Sequence, residues 1–419
     1  MKRRDFLRVS SFTVFSGMLF LSGCGEAAGD GGGDTITLNH WYSAAGEAGT
    51  KEAVLHYAAE YTKAHPKVKI NVVWIPGDYS TKLSAALLSQ NPPDIFELGA
   101  PTIDGVKAGQ YAQLDDLYTP EVKASFHPED ITYNSIEGHI YGVKDLEDFT
   151  VLYYRKSLLQ KAGVQPPTTL DELITASKAL TTSKMKGLYL GNDLGNFQMA
   201  LMLPWSAGAA YLTEDNKDVA FQTPEFVQAL LKARTLYHSG SLLNGAPTEW
   251  YDPGAFINEL CAMEFTGLWA YPAIKKAFGD DVDVLPWPAS SRNGKPAIWW
   301  AGWSQIVSAK GKHIEASKAY VKSLWIENDA VQKDWNTAYG FHVPPRLKIV
   351  QEADVLRSGP PAKAANYLAT YGKFQGPYWN GAMGNAYTNA YTNIVQKNAD
   401  PTTELARAVD IVKKELSKE

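Results

Sequence analysis

Residues 35–99 read TITLNHWYSAAGEAGTKEAVLHYAAEYTKAHPKVKINVVWIPGDYSTKLSAALLSQNPPDIFELG. Within this stretch TITLNHW (35–41) and VKINVVW (68–74) alternate apolar and polar residues, and IFELG (95–99) follows Pro92-Pro93-Asp94; all three are the patterns of short strands. Between the first two, residues 47–64 set Val54, Tyr57, Ala58 and Tyr61 at helical spacing, and Pro66 stops the run. Between the second and third, DYSTKLSAALLS (78–89) sets Leu83, Ala86 and Leu87 on one helical face. Strand, helix, strand, helix, strand predicts a parallel sheet with helices on its faces, since a parallel connection needs a crossover. The chain is therefore of the α/β class.

The later sequence keeps this style. PPTTLDELITASKAL (166–180) opens a helix with Thr169 as N-cap and Glu172 three residues on, a capping box. TPEFVQALLKARTLYHSG (223–240) opens another with Thr223 as cap and Pro224 at the first helical position, and Gly240 closes it. Further helices are predicted at 313–326, 328–337 and 402–416.

Upstream, MKRRDFLRVSSFTVFSGMLFLSGC (1–24) has a basic head and an apolar run from Val9 to Leu21 that ends in small residues. That is an export signal, too short to span a bilayer comfortably. Arg-Arg-x-Phe-Leu resembles a twin-arginine signal, and Leu-Ser-Gly-Cys resembles the bacterial lipobox, which makes Cys24 the lipidated first residue. Glycine-rich residues 25–34 form a flexible tether. Removing residues 1–23 takes away Lys2, Arg3, Arg4, Arg8 and Asp5, so the formal charge moves from −5 to −8. A mildly acidic chain argues against nucleic acid as a partner. Cys261 is the only cysteine besides Cys24, so the mature chain has no structural disulfide and depends on its core, and its length points to two domains.

Catalytic signatures are sparse. The eight histidines form no close metal-ligand pair, and the sequence has no Gly-x-Ser-x-Gly elbow, phosphate loop or dinucleotide fingerprint; no metal or cofactor is expected. Asp280, Asp281 and Asp283 lack the ligand ladder of a calcium loop and read as a solvated turn. Asp145, Glu147 and Asp148 form a denser acidic knot, and paired carboxylates are the equipment of glycoside hydrolysis. What is abundant is aromatic side chain: 12 Trp and 22 Tyr. Sugar C–H faces favour indole faces, while sugar hydroxyls need carboxylates and amides, so this inventory suits carbohydrate. It suits a cationic solute as well, through cation–π contact.

In order and spacing, several segments resemble those of the extracellular solute-binding proteins of bacterial ABC importers, of the sugar-binding type related to maltose-binding protein. PPDIFELGAPTIDGVKAGQYAQLDDL (92–117) is similar to that family's strand, helix and Gly-x-Leu-x-x-Leu segment. YGVKDLEDFTVLYYRKSLLQKAGVQPPTTLDEL (141–173) is similar to its crossing segment, Leu-Tyr-Tyr-Asn-Lys strand and Pro-x-Thr-x-x-Glu helix start, with Arg155 in place of the asparagine. FINELCAMEFTGLW (256–269) and YGFHVPPR (339–346) resemble two later segments, and PAIWWAGWSQIV (296–307) resembles the second crossing.

The resemblance implies a two-lobe periplasmic-binding-protein type II fold, with ligand in the cleft between lobes joined by hinge crossings. Residues 35–144 plus 303–343 would form lobe 1, and 145–302 plus 344–419 lobe 2. It implies no enzyme but a lipid-anchored, extracytoplasmic monomer that captures a sugar or oligosaccharide and delivers it to a membrane ABC permease. An anchored glycoside hydrolase using the Asp145–Asp148 acids and a receptor for a cationic solute are the alternatives. Ligand groups in open α/β sheets lie beyond the carboxyl ends of the strands. Those ends are Trp41 and Ser43 after the first strand and Glu97 and Gly99 after the third. Trp41 either stacks on ligand or closes the strand in the core, and Glu97 either accepts hydroxyls or ends a solvated strand. Asp148 matches the region where the family places an acidic sugar ligand, and Trp269 looks like a cleft aromatic. Trp379 and Asn380 come from PYWNGAMGNAY (377–387), where asparagines also form turns. Gly302 would permit a close approach or unusual dihedral at the crossing, and Trp303 beyond it would face ligand. A bend at Gly302 leaves the roles of Trp299 and Trp300 open, with packing as the default.

Overall fold

In the computed structural model, which describes residues 35–44, 48–339 and 341–418, the predicted βαβαβ unit is present. Strand β1 (Ile36–Ser43) pairs in parallel with β2 (Val68–Ile75) on one side and β3 (Ile95–Leu98) on the other. The intervening helices run Thr50–Ala64 and Tyr79–Leu87, and the second is capped by Asp78, which accepts from the Thr81 N–H. Val54, Tyr57, Ala58 and Tyr61 are buried, as their spacing requires. The export signal, Cys24 and the tether lie outside the described residues.

After a short hairpin, β4 (Ser135–Ile136) with β5 (His139–Ile140), the chain adds β6 (Gly142–Leu146) to the far edge of this sheet. It then leaves through residues 147–149 and enters a second sheet as β7 (Thr150–Arg155), flanked by β8 (Met263–Gly267) and β9 (Val282–Leu285), both antiparallel to it. From β10 (Ile298–Trp299), which pairs with β12 (Gly372–Lys373), the chain returns as β11 (Trp303–Val307). The first sheet is ordered β2-β1-β3-β11-β6.

The parallel pairing expected of the βαβαβ unit holds for β1, β2 and β3, and the sheet then continues as a mixed one. Strand β11 is antiparallel to both β3 and β6. It enters directly from the second sheet at the edge where β6 leaves, with no helix to carry it back to the other end, so it must run the opposite way.

Helices cover both faces of both sheets. Leu38, Tyr42 and Val143 pack against helices Thr50–Ala64 and Ile314–Trp325, while Phe96 and Ile306 pack against helix Tyr79–Leu87. In the second sheet, Leu152 and Phe265 face helices Leu170–Leu180, Pro224–Tyr237 and Gly381–Val395, and Val151 and Tyr153 face helix Gly359–Tyr371. The capping box at Thr169 and Glu172 forms with both hydrogen bonds. Helix Pro224–Tyr237 ends three residues before Gly240, which takes a positive φ of 74° in the turn that follows.

The crossings between the sheets are bonded to one another. Ala301 N donates to Asp148 O at 2.9 Å, and Glu147 N donates to Val343 O at 3.0 Å. The Trp300 indole N–H donates to Glu147 Oε2 at 2.6 Å, and Lys144 Nζ lies 3.4 Å from the same oxygen and 3.7 Å above the Tyr133 ring. Gly302 has φ 130°, and a Cβ there would stand 2.1 Å from Leu146 O. Gly302→Ala should therefore lower unfolding stability by at least ~2 kcal/mol, combining left-handed strain with a backbone clash. Urea denaturation checks this, and an unchanged midpoint would show that the crossing relaxes freely.

Candidate functional site

The carboxyl ends of β1, β3 and β6, the start of β11 and the start of β7 all meet at one edge, and a cavity of ≈ 380 Å³ opens there. Ser43, Glu97, Leu146 and Trp303 line it from the first sheet; Trp74, Thr50 and Trp335 extend that wall. Asp148, Trp269, His342 and the Trp250-Tyr251 pair line it from the other side. Five residues named from the sequence thus come together: Ser43, Glu97, Asp148, Trp269 and Trp303.

Each is held by its local structure. Glu97, 5% exposed at the end of β3, accepts from Ser43 N at 2.8 Å and lies opposite Gln305 on β11. Beneath it runs a buried chain: His40 Nε2 donates to Gln305 Oε1 at 2.6 Å, and Gln305 Nε2 donates to Asp145 Oδ2 at 2.6 Å. Burial lowers the His40 pKa to about 3, so the ring is neutral. Burial lifts the Asp145 carboxyl to about 7, against the pull of its Gln305 bond, and pushes Glu97 well above the usual carboxylate range, with Asp145's charge adding to the rise. Asp148 Oδ1 meets His342 Nδ1 at 2.7 Å. The Trp269 N–H donates to Tyr251 O at 2.9 Å, which pins the ring, and the ring lies against Gly267, where a Cβ would stand 2.0 Å from Cζ3. Trp303 sits at a register shift between β11 and β6, and bulges of this kind re-aim side chains.

The other predicted positions fall elsewhere. Trp41 packs with Tyr79, Leu83 and Phe96 on the far face of the first sheet, since β1 parity puts it opposite Tyr42. Gly99 and Gly302 approach one another, a Cβ on Gly99 standing 3.9 Å from Gly302 O, beside the cavity wall. Trp379 and Asn380 line a second cavity of ≈ 430 Å³ with Phe197, Tyr211 and Gln375. Asn380 there caps helix Gly381–Val395 by accepting from Met383 N at 3.0 Å, the local role its residue type favours. The two cavities are neighbours through a run of rings: Trp250 lies 5.5 Å from Phe197 and tilted to it, and Phe197 lies 5.4 Å from Trp299 and edge-on to it. Trp300 is buried at the crossing, and Trp299 is half-buried.

Sequence reasoning missed Trp74, Trp250, Tyr251, Trp335 and His342. Trp250 and Tyr251 stand in a Pro- and Gly-bounded loop (247–254), where two large aromatics among turn residues were a usable signal. Trp74 lies near the carboxyl end of β2 and falls under the same rule that found Glu97. Trp335 and His342 left no such signal, because they reach the cavity only through the path of the chain. The acidic knot does not form a catalytic pair in one cavity. Asp145 is fully buried against Gln305, and Glu147 is buried against Trp300 and Lys144, so only Asp148 of the three faces the opening. Asp281 and Asp283 are engaged by Arg155 and Lys363. Among the described residues, no group of His, Cys, Asp and Glu is arranged to hold a metal, and no helix is long and apolar enough to cross a membrane.

Two sheets, connected by short bonded crossings, with a cavity fed by both, define a binding protein of the two-lobe class. The chain matches the family of bacterial extracellular solute-binding proteins over residues 56–365, and it belongs to that family. Curated relatives include the multiple sugar-binding protein of Streptococcus mutans, 22% identical over 81% of this chain and 82% of the relative. They also include the arabinooligosaccharide-binding protein of Bacillus subtilis, 23% identical over 76% of each chain, and the sn-glycerol-3-phosphate-binding periplasmic protein UgpB of Salmonella typhimurium, 25% identical over 73% of each. Among solved structures, the GacH receptor of Streptomyces glaucescens, known unliganded and with acarbose, superposes with a TM-score of 0.76 at 25% identity, covering 91% of this chain and 98% of that one. The sugar-binding protein MalE of Xanthomonas citri shares the fold, with a TM-score of 0.74 at 20% identity over 91% of this chain and 98% of that one. The two-lobe fold and the family resemblance read from the sequence are both borne out.

The buried acids set a pH dependence. Asp145 carries a folded pKa near 7 against 3.8 unfolded, so the native state binds the extra proton between these values. Stability should therefore fall as pH rises from about 4 to about 7. Asp145→Asn should flatten that part of the profile, read as urea midpoints at pH 5 and 7.5; an unaltered slope would assign it to other acids.

Proposed function

We propose that the protein captures a sugar or oligosaccharide outside the cytoplasm and delivers it to an ABC permease, without catalysis. The observation that carries this is the cavity itself: five tryptophans and a tyrosine beside Glu97, Asp148 and Ser43, at the edge shared by the two sheets. Indole faces take up sugar C–H faces, and the carboxylates accept hydroxyls. The names of the Streptococcus and Bacillus relatives agree with a carbohydrate ligand. UgpB is named for a phosphorylated ligand, but among the described residues no lysine or arginine lines this cavity to receive a phosphate. No observation favours the glycosidase reading.

In this reading lobe 1 is 35–144 with 303–343 and lobe 2 is 145–302 with 344–419, and they close by hinge motion about the crossings. Closure brings Asp148 and Trp269 toward Ser43, Glu97 and Trp303 around the ligand, with Gly99 and Gly302 keeping backbone close at the base. Trp379 and Asn380 supply a second contact zone for a longer chain, and Trp41 supports the β1 edge. Cys24 carries the lipid that holds the monomer at the membrane after export, by the twin-arginine route if Arg3 and Arg4 are read as that signal.

Calorimetric titration with mono- and oligosaccharides should find at least one ligand with a Kd near micromolar, about −8 kcal/mol. Trp303→Ala should weaken it at least tenfold, about 1.4 kcal/mol, without loss of fold by circular dichroism. Binding of amino acids or polyamines with no saccharide bound would sink the sugar reading, and unaltered affinity in the variant would remove Trp303 from the site.

A further inference from the structure

The charge of the cavity is one-sided. Glu97 and Asp148 line it and Asp145 lies just beneath, while the nearest buried ammonium, Lys144, is turned to Glu147, Asp130 and the Tyr133 ring at the crossing. Of the two lining carboxylates, Asp148 has His342 at 2.7 Å. Among the described residues Glu97 has no such neighbour in its hydrogen-bonded surroundings: the Ser43 N–H and the facing Gln305 amide are neutral. It is nonetheless 5% exposed, and transferring a carboxylate out of water without a cation is costly. The rest of the lining is rich in indole and phenol rings, whose electron-rich faces attract cations.

Resting on the carbohydrate reading above, we infer that the preferred ligand is a cationic saccharide, one bearing a protonated amine, with Glu97 as its charge partner and the tryptophan faces as its cage. A neutral sugar can hydrogen-bond Glu97 but supplies no cation to stabilise its anion in this buried position. A protonated amine on the ring answers both, donating up to three hydrogen bonds and compensating the buried charge. Burial and Asp145 hold the unliganded Glu97 carboxyl toward its protonated form, and an arriving ammonium would draw it back to the anion.

The probes are D-glucosamine, D-galactosamine and the deacetylated chitosan disaccharide, each compared with its neutral hydroxyl parent and its N-acetyl derivative. Titrations are run at neutral pH and low salt. At least one amine should bind tenfold or more tighter than both of its neutral counterparts, and that ratio should shrink toward one in Glu97→Gln. A neutral parent binding as tightly as its amine in the unaltered protein overturns the inference and leaves the carbohydrate reading standing. Failure of every saccharide, charged or neutral, overturns both. A ratio that persists in folded Glu97→Gln removes Glu97 as the charge partner; should that variant not fold, the comparison in the unaltered protein decides by itself.

Discussion

The architecture depends on how three chain crossings are fastened at one point. Glu147 leaves the first sheet, Trp300 returns from the second, and Val343 passes a third time. The first two are tied by the Trp300 N–H to Glu147 bond at 2.6 Å, and Glu147 N donates to Val343 O. Lys144 completes the knot. Burial alone would pull its ammonium down, but Glu147, the Tyr133 ring and Asp130 outweigh that and hold it above its ordinary value. Asp130, pushed well above the carboxylate range by burial and by Glu147, can share the site in its neutral form. A buried ion pair contributes little net stability compared with apolar packing, but removing one partner strands the other.

That fastening explains why amides, and not apolar residues, fill the next layer. Where β6 ends, its carbonyls lose their sheet partners, and buried carbonyls need donors. Helix Asp329–Ala338 supplies one through Asn336, whose side chain donates to Asp145 O at 2.9 Å. On the other side Gln305 spans from His40 to Asp145 in a single geometry. The floor of the cavity is therefore a hydrogen-bonded chain, His40 to Gln305 to Asp145, in place before any ligand arrives. Pre-organisation of this kind reduces what binding must spend on ordering side chains.

Local structure was legible in the sequence and long-range closure was not. The βαβαβ unit, the capping box at Thr169 and the helix starting at Pro224 follow from periodicity and capping chemistry within a few residues, so they appear where expected. Glu97 and Ser43 followed from one topological rule about strand ends. The same rule does not bring Trp41 into the cavity lining, because period-two alternation in β1 sends it to the face opposite Tyr42. The antiparallel β11 was hidden for a different reason: its direction is set by where β6 leaves the sheet, a fact about the path of the chain. His342 was hidden likewise, since its pairing with Asp148 spans nearly two hundred residues.

The tryptophans show how one residue type is divided between two tasks by what its N–H finds. Trp300 spends its N–H on Glu147 in the interior and serves the crossings. Trp269 spends its N–H on the Tyr251 carbonyl, so the ring is oriented but its hydrogen-bonding edge is used up. At the cavity such an indole contributes faces and little else. Trp250 stands 6.1 Å from it at 61°, and Trp303 lies edge-on to Tyr79, so neighbouring rings are held at angles to one another. A site walled this way discriminates poorly among flat apolar shapes but strongly among rings by what they present at the edge. In the proposed reading the edge groups of a ligand meet Glu97, Asp148 and Ser43, and these few polar atoms, not the aromatic area, carry the selectivity.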